Sequence, residues 1–132
     1  MSNPNEKQID GDHYRASIQH WDVIGIHGIG YLEGCATKYV TRHKNKNGLI
    51  DLEKAGHYVE KMLDLRFAYN YQPSGVVPMV TVTAFCAAND LGWLESAIVE
   101  TLLRWDSAED LERAHHNIMT LLAQETALAK GK

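Results

Sequence analysis

The chain carries one pattern twice, and this internal repeat constrains its fold more than any other feature of the sequence. GYLEGCATKYVTR (30–42) aligns without gaps on GWLESAIVETLLR (92–104), and DLEKAGH (51–57) aligns on DLERAHH (110–116). Only the loop between the two matches differs in length, as expected because loops tolerate deletions and helix interiors do not. The sequence therefore predicts two similar units that bury their apolar faces against each other or against another copy.

Each unit is expected to contain two amphipathic helices joined by a turn. Apolar residues recur at three-to-four spacing in the first unit, in 32–40 and again in 52–63. The second unit shows the same spacing in 94–102 and 111–122. NKNG (45–48) supplies the turn in the first unit, because Asn and Gly tolerate the left-handed conformation that ends helices.

A shorter apolar segment precedes each unit, IQHWDVIGIHG (18–28) and VTVTAFCAAND (80–90). Val and Thr favour strands, but the position of the second segment in the repeat favours a short helix. We expect an all-α fold of two αα-hairpin units, each preceded by a short helical segment and joined by a Pro/Gly linker. The expected organisation is a flexible N-terminus (1–12), a first helical unit (13–69), a linker (70–79) and a second helical unit (80–129), in one compact domain.

Positive charge is concentrated in one stretch of an acidic chain. The chain has 13 Lys+Arg against 17 Asp+Glu and a formal net charge of −4. KYVTRHKNKNG (38–48) nevertheless holds four basic residues, and no carboxylate interrupts it. In the second unit Glu100 replaces Lys38, and the corresponding loop is the acidic WDSAED (105–110). The basic patch therefore belongs to the first unit alone.

Two physical explanations of this patch stay open. Cations near a helix C-terminus complement the helix dipole by about 0.3–1 kcal/mol each, which accounts for Arg42 and Lys44 as a solvated face. The dipole explains less well why Lys38 lies one turn before Arg42 on the same side of the helix. The other explanation is that the patch binds an anion.

Membrane, secreted and metal-binding proteins are disfavoured. No apolar run approaches the roughly 20 residues of a membrane span, and the N-terminus lacks the apolar segment of a secretory signal. Cys35 and Cys86 lie among small or apolar neighbours, which favours free thiols in a reducing compartment. His115 and His116 are adjacent and point to different helix sides, so a two-histidine metal site is not expected. We expect a cytoplasmic protein with no metal ligands.

The first half of the chain resembles the SaV-like bacteriophage protein family. GDHY (11–14) begins the matching segment, which continues to residue 63. Members of that family carry His-Tyr, Lys-Tyr, Arg and Asp-Leu-x-Lys-Ala-x-x-Tyr in this order. The family includes a podophage nucleotide kinase that phosphorylates deoxynucleoside monophosphates and a lactococcal phage protein that triggers an abortive-infection system. Its pattern falls on His13, Tyr14, Lys38, Tyr39, Arg42, Asp51, Lys54 and Tyr58.

The resemblance implies that the basic patch is a phosphate site. The residues predicted to bind substrate or phosphate are His13, Tyr14, Lys38, Tyr39, Arg42, His43, Lys44, Lys54 and Tyr58. The Arg42 guanidinium suits two phosphate oxygens, whereas lysines act as point charges. The tyrosines suit stacking on a base or bonding to a ribose hydroxyl, although Tyr39 and Tyr58 also lie on or beside the apolar stripes of the core. For His13 a phosphate contact, a proton carrier, a cap and a surface position all stay open.

A kinase built on this sequence would not be of the P-loop type. Neither GxxxxGK[ST] nor a GxGxxG that opens a helix after a strand occurs. The basic side chains would therefore supply the positive charge that phosphoryl transfer needs, with ATP or another nucleotide as phosphate donor. Whether Mg²⁺ is required stays open. The ExxE and ExxD pairs of the all-α NTP pyrophosphatases are absent in the required order and spacing.

Three functions stay open at this point. The first is a phage-encoded nucleotide-binding protein, including a non-P-loop (deoxy)nucleoside monophosphate kinase. The second is a non-catalytic phage protein that binds nucleic acid, a nucleotide signal or a host defence protein. The third is a structural role in which the patch meets acidic residues of another copy. In each case we expect a homo-oligomer in the cytoplasm of the host bacterium, because hairpins this small gain from sharing a core.

Overall fold

The computed structural model of the chain describes residues 17–45 and 48–131, and within them it contains α-helices and no β-strand. The helices are α1 (His20–His27), α2 (Tyr31–Arg42), α3 (Leu49–Tyr69), α4 (Met79–Ala88), α5 (Trp93–Arg104) and α6 (Ala108–Lys130). The predicted all-α fold is confirmed, and the segment rich in Val and Thr forms helix α4 rather than a strand. The N-terminus that we expect to be flexible (1–12) lies outside the described residues. No helix in the described ranges is both long enough and apolar enough to span a lipid bilayer.

Four helices build the core. α2 packs on α3, α3 on α6, α6 on α5 and α5 on α2, so that these helices close a ring. Their inward side chains follow the spacing of amphipathic helices, as in α3, where Leu52, Val59 and Met62 are fully buried. Ile98 of α5 and Ile118 of α6 are fully buried as well. Burying an aliphatic side chain of this size contributes about 1.5–3 kcal/mol, so this shared core holds the two halves together.

The segment between the two halves packs against the core. Residues 70–78 form no helix, in line with their prolines and glycine. Val77 in this segment is nevertheless fully buried, and its backbone nitrogen donates to the Leu103 carbonyl at 3.1 Å. The Arg104 guanidinium donates to the Val77 carbonyl at 2.7 Å. These contacts fix the segment on α5 and place its side chains, including Tyr71, at defined positions.

The two helices with aligned sequences share their length and their start. α2 and α5 each contain 12 residues, and each begins directly after a glycine. Each carries a glutamate in its first turn, Glu33 in α2 and Glu95 in α5, where the helix dipole favours a negative charge. These glutamates are only 2% and 4% exposed. Each therefore needs hydrogen-bond donors from the protein itself.

Candidate functional site

Three cations of the first half converge on one tyrosine ring. The Nζ atoms of Lys38 and Lys54 lie 4.8 and 5.3 Å from the centre of the Tyr39 ring, and the guanidinium carbon of Arg42 lies 4.8 Å from it. Lys38 and Arg42 are one turn apart on α2, whereas Lys54 comes from the neighbouring α3. We call these four residues the Tyr39 cluster. Like charges repel, and the electron-rich face of the ring offsets only part of that repulsion.

One buried carboxylate belongs to this cluster. Asp51 is fully buried in the first turn of α3, and its two carboxylate oxygens each lie 3.4 Å from a guanidinium nitrogen of Arg42. The Arg42 side chain is held in place by this pair and is 18% exposed. Within residues 17–45 and 48–131, Lys38 and Lys54 form no ion pair. Among the described residues, Asp51 is thus the one acid that pairs with the three cations of the cluster, and the excess of positive charge can attract an anion.

A row of tyrosines extends the cluster along the surface. The Tyr39 ring stacks on Tyr58 with 5.9 Å between ring centres, and Tyr58 meets Tyr31 edge-on at 6.2 Å. Interactions with the side chains of Tyr31 and Cys35 raise the pKa of Tyr58. Tyr39 and Tyr58 pack partly against the core, whereas Tyr31 is 74% exposed. Tyr39 and Tyr58 of the predicted site are thus packing residues, and Tyr39 also contacts the cations.

A groove of about 320 Å³ between α1 and α2 adjoins the cluster. Trp21 and Gly25 line it from α1, and Tyr31, Gly34 and Lys38 line it from α2. Because Lys38 also reaches the Tyr39 ring, the groove and the cluster share this side chain. We call it the α1–α2 groove. The sequence did not point to Trp21 or Tyr31, since aromatic residues in apolar segments usually belong to the core.

His20 closes one wall of this groove as a neutral side chain. Its Nε2 lies 2.7 Å from the Thr37 hydroxyl, and its ring lies near Phe85. Burial, and to a smaller degree the charge of Lys38, lowers the pKa of His20 from 6.5 to about 4. At neutral pH the ring is therefore uncharged. It adds a polar but neutral group next to the aromatic residues of the groove.

His43 and Lys44, which we predicted to bind phosphate, lie away from the cluster. A short 3-10 turn, His43–Asn45, continues α2 and turns His43 inward, where it is 3% exposed. Nε2 of His43 lies 3.0 Å from Oε2 of Glu95, and Nζ of Lys44 lies 3.3 Å from the same oxygen. Both side chains thus compensate a buried carboxylate of the second half. His13 and Tyr14, the other predicted ligands, lie outside the described residues.

Each of the two buried glutamates is hydrogen-bonded to a residue of the opposite half. Glu33 accepts a hydrogen bond from the indole nitrogen of Trp105 at 2.9 Å and one from the Tyr71 hydroxyl at 2.7 Å. Glu95 is bonded to His43. Glu33 aligns with Glu95 in the repeat, and His43 aligns with Trp105. The bonds Glu33–Trp105 and Glu95–His43 therefore join the same pair of aligned positions in reverse order.

The Glu95 pair predicts a loss of stability in acid. The hydrogen bond from His43, followed by weaker contributions that include Lys44, lowers the pKa of Glu95 from 4.5 to about 2. Its stabilising effect is complete above pH 4.5 and is lost as the pH falls towards 2. Between pH 5 and pH 3, the free energy of unfolding should fall by about 2 kcal/mol through this group alone.

Urea unfolding at several pH values would measure this dependence. The Glu95→Gln variant should lose that part of the pH dependence, whereas Glu100→Gln, which replaces an exposed glutamate of the same helix, should keep it. An unchanged pH dependence in Glu95→Gln would contradict the assigned role of Glu95.

A second cavity is larger but less suited to an anion. It has a volume of about 370 Å³ and lies between the α2–α3 connection and the end of α6. Its basic residues, His43 and Lys44, are bonded to Glu95, and the carboxylate of Glu125 also lines it. The α1–α2 groove with the Tyr39 cluster is therefore the stronger candidate site.

No metal centre or known relative identifies this site. In the part of the chain that the structure describes, no group of three or more His, Cys, Asp or Glu side chains is placed to hold a metal ion. Comparisons with protein-family models, with curated proteins and with solved structures find no match to this chain. The function must therefore follow from the chemistry of the cluster and the groove.

Proposed function

We propose that this chain binds a nucleotide, with the phosphate groups at the Tyr39 cluster. The observation that carries this proposal is the convergence of three cations on one ring, of which only Arg42 forms an ion pair within residues 17–45 and 48–131. A phosphate group offers each cation a charged acceptor, and hydrogen bonds between charged groups are about twice as strong as neutral ones. Arg42 is already oriented by Asp51, so less side-chain entropy is lost when it meets the ligand.

The finer proposal is that the bound nucleotide is phosphorylated. The resemblance to the SaV-like phage family, which includes a nucleotide kinase, supports transfer of a phosphoryl group from ATP or another nucleotide to a deoxynucleoside monophosphate. Phosphoryl transfer depends chiefly on positioning and on positive charge around the transferred group, and the three cations of the cluster support the proposal by offering the charge. On the same resemblance we assign His13 and Tyr14 to the site. Cys35 and Cys86 are free thiols, and free thiols are typical of proteins in a reducing compartment. They therefore support a function in the cytoplasm of a host bacterium.

A second candidate function is the capture of single-stranded nucleic acid without catalysis. The exposed rings of Trp21 and Tyr31 beside Lys38 favour it, because proteins that bind single strands combine aromatic stacking surfaces with basic grooves. Strand binding would weaken steeply with rising salt, since several phosphates release counterions together. A site for one nucleotide would instead show a shallow salt dependence and saturation at one ligand per chain. Titrations of mononucleotides and of a labelled oligonucleotide at several salt concentrations separate the two.

Replacing Lys54 tests the phosphate site directly. Lys54→Ala should weaken the binding of a deoxynucleoside monophosphate by about 10- to 100-fold, because a hydrogen bond to a charged group contributes about 1.5–3 kcal/mol. Arg113 aligns with Lys54 in the second half and pairs with Asp110, so Arg113→Ala removes an equal charge elsewhere. Calorimetric titration should show no change in affinity for this control. Equal affinities of Lys54→Ala and the unchanged protein would contradict the site.

Catalysis has its own test. The protein is incubated with ATP and each deoxynucleoside monophosphate, with and without Mg²⁺, and diphosphates are sought by chromatography. We expect a diphosphate product that Lys54→Ala forms more slowly than Arg113→Ala. No product from any monophosphate at high protein concentration would remove the kinase proposal while leaving nucleotide binding intact.

A further inference from the structure

The fold contains a second groove at the position that corresponds to the α1–α2 groove. It has a volume of about 280 Å³ and lies between α4 and α5. When the alignment of α2 with α5 is extended to α1 and α4, residues that line the first groove align with residues that line the second. The pairs are His20 with Val82, Trp21 with Thr83, Gly25 with Ala87, Gly34 with Ser96 and Lys38 with Glu100. Positions that align in the sequence thus line two cavities of about 320 and 280 Å³, and the chemistry of these cavities differs.

Only the first of these grooves combines aromatic walls with a cation. Trp21, which is 48% exposed, is replaced by Thr83 in the α4–α5 groove. Lys38 is replaced by Glu100, so the second groove carries a negative charge where the first leads into the Tyr39 cluster. An anionic ligand with a flat ring is therefore favoured in the first groove and disfavoured in the second.

We infer that the α1–α2 groove binds the base of the nucleotide whose phosphate lies at the Tyr39 cluster, an inference that rests on the proposed function. The side chains of Trp21 and Tyr31 line the groove and are 48% and 74% exposed, and stacking on aromatic rings is favourable for every base. Gly25 leaves room beside them, since a Cβ there would meet no atom within 4 Å, and Lys38 joins the groove to the cluster. A volume of about 320 Å³ suits one nucleoside, so the ligand class is a mononucleotide.

Gly25→Leu is the variant that tests the base site. A Cβ at Gly25 would meet no atom within 4 Å, so the leucine points into open space at the groove. Leucine also favours the helix more than glycine does, which protects the fold of α1. Ala87→Leu, at the aligned position, fills the α4–α5 groove in the same way and serves as the matched control.

The ligands are the four deoxynucleoside monophosphates and 2-deoxyribose 5-phosphate, titrated by calorimetry. In the unchanged protein at least one nucleotide should bind about 5- to 100-fold more tightly than the sugar phosphate, because the base stacks in the groove. Gly25→Leu should remove this difference and leave the affinity for the sugar phosphate unchanged. Ala87→Leu should retain both affinities, and thermal unfolding should show that both variants are folded.

Each contrary result has a distinct meaning. Equal binding of sugar phosphate and nucleotides by the unchanged protein would overturn the base site and leave the phosphate site standing. A base preference that persists in Gly25→Leu would also overturn it. If neither compound binds, the proposed function fails and this inference fails with it.

Tryptophan fluorescence gives a second readout for the same site. Stacking of a base on Trp21 should change its emission on titration, and Trp93→Phe should keep that change because Trp93 does not line either groove. Trp21→Phe should lose it. A change of emission that survives in Trp21→Phe would overturn the placement of the base.

Discussion

Replacing Trp105 by alanine should lower the free energy of unfolding by about 3–5 kcal/mol, the range for removing a large buried aromatic side chain. Trp105 is 2% exposed and stacks on Tyr71, with 5.8 Å between the ring centres. Its indole nitrogen also donates to the buried carboxylate of Glu33 at 2.9 Å. The substitution removes the packing and leaves one oxygen of this carboxylate without its donor. Urea unfolding, with the slope compared between variants, measures the effect.

Trp105→Phe separates the hydrogen bond from the packing. A phenyl ring keeps most of the apolar contact but donates nothing to Glu33, so we expect a loss of about 1–3 kcal/mol. Trp93→Ala is the control for removing an indole, since Trp93 is 79% exposed and should change stability by no more than about 0.5 kcal/mol. If Trp105→Phe is as stable as the unchanged protein, the hydrogen bond from Trp105 to Glu33 does not stabilise the buried carboxylate.

The helices could be predicted because their apolar residues recur at the spacing of one helix face. This spacing identified α2, α3, α5 and α6, and the place of VTVTAFCAAND in the repeat outweighed its strand propensity. The ordered packing of residues 70–78 could not be predicted. Prolines and glycine indicate the absence of a helix, but they carry no information about the bonds that Val77 forms with distant residues.

The candidate site was partly predictable for a similar reason. Lys38 and Arg42 share one side of a helix by their spacing, and the helical hairpin explains why Lys54 of α3 lies beside them. The burial of Glu95 was not predictable, because a glutamate in the first turn of a helix is normally solvated. The sequence therefore could not indicate that His43 and Lys44 contact Glu95 rather than a phosphate. Residues 11–14, which carry part of the family resemblance, lie outside the described structure.

Exchanging the charges of Lys38 and Glu100, which align in the repeat, should show whether Lys38 contacts the phosphate or acts through the long-range electrostatic field. Lys38→Glu removes one cation of the Tyr39 cluster and places a carboxylate where the phosphate is expected. Nucleotide binding should weaken by at least about 100-fold, since a charged hydrogen bond is lost and a repulsion is added. Glu100→Lys makes the opposite change in the α4–α5 groove and should leave affinity within about threefold, because that groove lacks Trp21.

The double variant is the decisive measurement. Lys38→Glu combined with Glu100→Lys keeps the net charge of −4, so the average field around the protein changes little. If Lys38 contacts the phosphate, the double variant should bind as weakly as Lys38→Glu alone at fixed ionic strength. A recovery of affinity would mean that Lys38 acts through the overall field rather than at a site. Sedimentation of the same proteins tests the structural alternative, because a patch that joins copies predicts a dissociated oligomer in Lys38→Glu with nucleotide binding intact.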